Sequence, residues 1–267
     1  MTALVRLADL LARRVRDGAR VEFRVTDDWQ QGRTTYGGLV AVLAACALRD
    51  AVGPARPLRA LQVNFVGSVP AGPAVVETRV LREGRSVTQA QATLSSGGEA
   101  ACFVQAVYGA PRASALPRWS MTMPATRAAE AVPQVPFLPK IMPAFLQHLA
   151  TRWAEGDPPY TGGSSRHSRL WLQLQGDPVE PELLAILFAD AMPSPVMGQA
   201  SSRVFAASLA WSIELLPAAF DGGGHGWWRA DTELTGNAEG YANQVSTVWT
   251  PGGEPAAISH QVVAIYG

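Results

Sequence analysis

The sequence is short of charge, of lysine and of cysteine. Only 16% of its 267 residues are charged, and the formal net charge is zero. A neutral chain carries no electrostatic footprint for a polyanion, so nucleic acid is excluded as the first partner to consider. A single lysine, Lys140, stands among 22 basic residues. The two cysteines, Cys46 and Cys102, sit in apolar surroundings without a CxxC pair. Two buried thiols in a reduced compartment are the plainer reading, although a disulfide stays open. The histidines at 148, 167, 225 and 260 fall singly, without HExxH or HxxxH spacing, so no metal site is expected. There is no GxSxG, which removes the nucleophile elbow of an α/β-hydrolase. The GGGHG at 222–226 lacks a following GKS/T and precedes a strand-like segment, so it reads as a hairpin tip and not a phosphate loop. No window reaches the run of about 18 apolar residues that a membrane span needs. The N-terminal stretch lacks a long apolar run and a small-residue cleavage site, so an amphipathic helix in a cytoplasmic protein is expected there.

What is there is apolar sequence, 48% of the chain, enough to fill a sizeable core in one large domain or two. Two blocks flank a poor middle. Residues 111–166 are rich in Pro, Ala and Ser, which break both periodicities. They are expected to form a linker with one short helical piece near 142–153, a packing helix or a lid. The first block has a strand at 21–26, a turn-rich loop, and an apolar helix at 38–51 with almost no polar residue before Arg49. A helix hydrophobic on every side is a buried helix. Strand-like segments follow at 58–66, 74–82, 86–95 and 100–108. The segment SVTQAQATLS alternates at period two, as a half-covered antiparallel strand does.

The second block repeats the plan. An apolar helix at 181–191 precedes strands at 204–215, 226–234, 241–249 and 256–266. SSGGEAACFVQAVYG (95–109) resembles TPGGEPAAISHQVVAIYG (250–267), each with GGE at a hairpin and an aliphatic–Tyr–Gly ending. A period near 155 residues fits a duplicated domain and is too long for a solenoid.

A buried helix followed by an antiparallel sheet, doubled in one chain, resembles the α+β double hotdog fold. The local signatures are similar to those of the acyl-CoA thioesterase II family and its thioesterase-like relatives. They are YGG at 36–38, LRALQVNFVGSVPAG (58–72) and VLREGRS (80–86), then LLAILFADAMPSP (183–195), ASLAWSIELLP (207–217) and AISHQVV (257–263). The resemblance implies two antiparallel sheets, each wrapped around a central apolar helix, and leaves open whether they join into one continuous sheet. It implies an N-terminal unit at 1–110, the linker at 111–166 and a C-terminal unit at 167–267. It implies hydrolysis of an acyl-CoA or related thioester, no cofactor and a place in lipid metabolism. Two fused units already imitate the usual hotdog dimer, and further pairing into a homo-oligomer stays open.

Carried over position by position, the resemblance places a catalytic Asp at Asp190, the hydroxyl at Ser208, where the family often has Thr, and the amide at Gln261. Together they hold the attacking water. Asp190 sits in LLAILFAD, where burial would raise its pKa toward that of a useful base. Ser208 and Gln261 can each donate and accept. Tyr36, Gly37 and Gly38 open the first buried helix, where small residues let a substrate or an oxyanion approach backbone N–H groups. The chain departs from the family at Ala210 and Trp211, where Asp-His is frequent. That departure favours a second reading, a protein that binds an acyl thioester without cleaving it. Read without the family, Asp190 caps a turn or pairs with an arginine, Ser208 is an ordinary strand residue and Gln261 is a satisfied core amide. A dehydratase on the same fold is weaker, because its Asp and His pair on a helix is not visible.

Overall fold

The computed structural model describes residues 4–216, 220 and 225–267. Most of the glycine-rich 222–226 segment, and Pro217 of the 207–217 motif, lie outside the described residues. The first half runs α1 (Leu7–Ala12), β1 (Val15–Asp17), β2 (Arg20–Val25), a 3-10 turn (Asp27–Trp29), β3 (Gln30–Gln31), β4 (Thr34–Thr35), α2 (Gly37–Val52), β5 (Leu58–Phe65), β6 (Gly72–Glu83), β7 (Val87–Ser96) and β8 (Glu99–Gly109). The second half runs β9 (Leu149–Glu155), β10 (His167–Leu174), α3 (Pro181–Ala189), α4 (Pro195–Gln199), β11 (Phe205–Leu215), β12 (Trp228–Ala238), β13 (Tyr241–Trp249) and β14 (Pro255–Tyr266).

Period-two alternation gives each sheet a covered face. In β7, Thr88, Ala90, Ala92 and Leu94 are all buried while their neighbours are more exposed. Gly97 and Gly98, at φ 62° and 87°, turn β7 tightly into β8. In α2 every residue from Gly38 to Leu48 is buried, and in α3 every residue from Leu183 to Ala189. Each leucine or valine so placed contributes about 1.5–3 kcal/mol over its exposed state. These two helices are therefore the centres about which the sheet wraps.

Twelve strands form one sheet, in the order β1-β2-β6-β7-β8-β5-β11-β14-β13-β12-β10-β9. The order is mirrored about the β5–β11 seam, where Ala210 to Glu214 pair antiparallel with Asn64 to Ala60. Hence β11 corresponds to β5, β14 to β8, β13 to β7, β12 to β6, β10 to β2 and β9 to β1. The two wrapped helices are as expected from the sequence, and the two sheets, whose joining the sequence left open, form one continuous sheet.

The middle of the chain holds more structure than its composition suggests. Within 111–166 lie a five-residue 3-10 helix, Ala144–His148, and strand β9. The helix expected over 142–153 thus stops at His148, and 149–153 is strand. The reason is tertiary: β9 pairs with β10 and is covered on its other side by residues 127–134. Arg152 donates there to the carbonyls of Ala129 and Val132, at 2.8 and 2.6 Å. With both faces covered, β9 shows no alternation to read. Cys46 and Cys102 are free and buried. Among the described residues no helix is long and apolar enough to cross a membrane, and no cluster of His, Cys, Asp or Glu could hold a metal.

Candidate active site

The N-terminus of α2 and the C-terminus of α3 meet at one end of the molecule. Two glycines make the approach possible. A Cβ on Gly37 would lie 2.7 Å from Oδ2 of Asp190, and one on Gly38 would lie 2.5 Å from the Tyr36 ring. Tyr36 is fully buried. Its hydroxyl donates to the Leu187 carbonyl on α3, and its ring stacks on Phe145 at 3.9 Å between centroids. The YGG motif therefore bolts the two central helices together. Tyr36 stands behind the pocket wall and does not line it. Gly37 lines it, and the Gly38 N–H faces the Asp190 carboxylate and lowers its pKa.

Asp190 is the C-cap of α3, where the helix ends at φ −111°, ψ 0°. Among the described residues it has no arginine partner. Its carboxylate instead accepts from the Gln261 side chain, Nε2 to Oδ1 at 2.7 Å. Burial pushes its pKa up to about 6, against the lowering effect of the Gln261 and Gly38 donors. This is the range a general base needs near neutral pH.

A β-bulge aims the hydroxyl. On β11, Ser208 pairs with Val263 but Ala210 pairs with Val262, so Leu209 is an extra residue. Without it, residues 208 and 211 would face opposite sides of the sheet. With it, Ser208 and Trp211 both face α3, and Ser208 Oγ lies 2.8 Å from Gln261 Nε2. Both amide hydrogens of Gln261 are thereby used, one on Asp190 and one on Ser208. Its carbonyl oxygen accepts from Gln244 Nε2 at 2.7 Å.

Gln244, on β13, escaped the sequence reading. A signal for it existed, because the β13–β14 hairpin register pairs 244 with 261 directly. The structure thus brings Asp190, Ser208 and Gln261 together, adds Gln244, and sets Gly37 against the carboxylate. Ala210 and Trp211 line no part of this pocket. Trp211 is 2% exposed and packs across the sheet from Gln261 and Val63.

The cavity in front of these groups has a volume of about 380 Å³. Its walls are largely apolar, with Phe65, Val69, Met192, Met197 and Val263 among them. Asp190 is the one ionisable side chain among its lining residues. An apolar pocket with a few convergent polar groups and one perturbed carboxylate is the expected form of a small-molecule site.

Comparison with known proteins bears on what the site does. A family model for the acyl-CoA thioesterase N-terminal domain matches residues 25–109, and one for the C-terminal domain matches residues 124–265. A search of the curated proteins finds no match. Solved structures share the architecture over nearly the whole chain. A conserved protein of unknown function with a hot dog fold from Alicyclobacillus acidocaldarius has a TM-score of 0.87 at 20% identity, covering 97% of both chains. A candidate thioesterase II from Thermobifida fusca has a TM-score of 0.84 at 19% identity, covering 99% of both. An acyl-CoA thioesterase II from Mycobacterium marinum has a TM-score of 0.73 at 16% identity, covering 97% of this chain and 98% of that one. At these identities the likeness is one of fold.

Proposed function

This chain belongs to the acyl-CoA thioesterase family, with the N-terminal and C-terminal domains in one polypeptide, and on that footing we propose that it hydrolyses an acyl thioester with Asp190 as the base. The observation that carries the reading is the hydrogen-bonded set of Asp190, Gln261 and Ser208, at 2.7 and 2.8 Å, on the wall of an apolar pocket.

In this mechanism a water held by Asp190 and Ser208 attacks the thioester carbonyl carbon. Asp190 takes a proton from the water as the new C–O bond forms. The carbonyl oxygen becomes an oxyanion against the N-terminus of α2. Gly37 is the first residue of that helix, so its N–H has no partner within the helix and sits at the positive end of the dipole. The C–S bond then breaks. The thiolate leaves with the proton carried by Asp190, and the carboxylic acid product loses its own proton to solvent. Gly38 and Gln261 hold the carboxylate in place throughout. The first half supplies the oxyanion donor and the second the base, so neither half suffices alone.

The substrate class is an acyl-CoA or a related thioester whose acyl group enters the apolar pocket. Thiol release from acetyl-, octanoyl- and benzoyl-CoA, by wild type and Asp190→Asn, tests the reading. Release by the wild type and its loss in the variant are expected. Tight acyl-CoA binding with no release by the wild type would overturn hydrolysis in favour of a binding protein.

A further inference from the structure

Gln261 can serve Asp190 and Ser208 only if its amide faces the right way. A primary amide has two faces of similar shape, one a double donor and one an acceptor. With Nε2 toward the pocket, Gln261 donates to Asp190 and to Ser208. Turned over, it would set its carbonyl oxygen against the Asp190 carboxylate. Ser208 does not decide between the two, because a hydroxyl can donate to a carbonyl as readily as accept from an amine.

The Asp190 carboxylate favours the donor face at one end of the amide, and the other end holds a second group that reinforces the choice. Gln244 lies directly opposite Gln261 across the β13–β14 pair, and both are nearly closed to solvent, at 4% and 6% exposure. Its Nε2 donates to Gln261 Oε1 at 2.7 Å. Turning Gln261 over by itself would bring two amino groups face to face in a buried site, so Gln244, whose Oε1 is buried without a hydrogen-bond partner among the described residues, would have to turn with it. On the other side of Gln261, across the β11–β14 pair, stands the apolar bulk of Trp211, which offers no carboxylate or carbonyl side chain to compete.

We propose that Gln244 is a positioning residue that locks the Gln261 amide in the one orientation serving both Asp190 and Ser208. The inference rests on the reading of Asp190 as the base. The groups facing that carboxylate are the Gly38 N–H and the Tyr36 ring from α2, and Gln261 from β14, with Ser208 of β11 reached through Gln261. No other ionisable side chain is among the lining residues of the pocket.

Two variants test it. Gln244→Met keeps the length and removes the donor. Gln244→Glu keeps the shape and, once ionised, can only accept. Each is checked for a native circular dichroism spectrum and a cooperative melt. Rates on octanoyl-CoA are then measured from about pH 5 to about pH 9, and Asp190 is titrated by NMR with carboxyl-labelled aspartate. In Gln244→Met, kcat is expected to fall about tenfold with KM little changed, the loss of about one charge-assisted hydrogen bond. Its Asp190 titration moves upward, since the Gln261 donor to the charged form is held less firmly. In Gln244→Glu a new descending limb is expected as the introduced carboxyl ionises and draws the Gln261 amino group away. An Asp190 titration unmoved in both folded variants would overturn the proposal. A wild type that cleaves no acyl-CoA would sink the functional reading alone, because the titration would still decide whether Gln244 fixes the amide.

Discussion

Gly37 and Asp190 meet where a side chain on residue 37 would have to be: the position of its Cβ is 2.7 Å from the Asp190 carboxylate oxygen and 3.3 Å from the Phe65 ring. The helix behind Gly37 is buried on every side and has nowhere to retreat. Gly37→Ala is therefore expected to push Asp190 aside and weaken its bond from Gln261 or from the Gly38 N–H. Hydrogen bonds to a charged group are worth about 1.5–3 kcal/mol, so kcat should drop about 10- to 100-fold. Thiol-release kinetics with acyl-CoA would check this, and an unimpaired Gly37→Ala enzyme would contradict the close approach.

The raised pKa of Asp190 sets a pH dependence. A base must be ionised to take a proton, so hydrolysis should fall as pH drops through about 6. A profile of kcat/KM against pH would show that limb. A limb at the ordinary aspartate position, or none, would mean that the carboxylate is better solvated than its surroundings indicate.

The same shift has a cost in stability, and its sign is opposite to that of a paired surface carboxylate. The folded pKa, about 6, lies above the ordinary aspartate value of 3.8. The folded state therefore binds the proton more tightly, and the cost of burying the charge appears as pH rises from about 4 to about 6. The full shift corresponds to about 3 kcal/mol. Asp190→Asn is thus expected to be inactive yet more stable than wild type by about 1–3 kcal/mol at pH 8, with the gain gone below about pH 4. Denaturant unfolding at the two pH values would measure it.

The fold was legible because its cores are extreme. Residues 38–48 and 183–189 are too uniformly apolar to be anything but buried helices. The β7–β8 and β13–β14 hairpins repeat one another closely enough to show the duplication. Asp190 and Gln261 were found through family likeness, since neither residue type nor spacing marks them out. Strand β9 was hidden because both of its faces are covered. Gln244 was hidden because a glutamine alternating with apolar residues reads as one more satisfied core amide. Only the hairpin register sets it beside Gln261. The bulge at Leu209 was illegible for a similar reason. It is fixed by the pairing of β11 with β14, which no local pattern in ASLAW records.

At the far end of the paired helices, a second contact between the halves predicts stability without activity. Arg49, in the last turn of α2, sends Nη2 to both carboxylate oxygens of Glu182 in the first turn of α3, at 2.7 and 2.8 Å. Glu182 also accepts from the Leu58 N–H at 3.0 Å, and the Arg49 guanidinium lies 4.6 Å over the Tyr108 ring. The pair is only partly exposed, at 25% and 16% of the side chains, so removing one charge strands the other in a poor solvent. Glu182→Gln should therefore destabilise the protein by about 1–3 kcal/mol, less than for a fully buried pair. Asp190 lies eight residue steps beyond Glu182 along the helix, about 12 Å at 1.5 Å per residue. A neutral change there leaves the hydrogen bonds of Asp190 untouched. Denaturant unfolding should therefore shift while the midpoint of the acid limb stays fixed. An acid limb that moved with Glu182→Gln would mean that the two ends of the helix pair are coupled through the buried core.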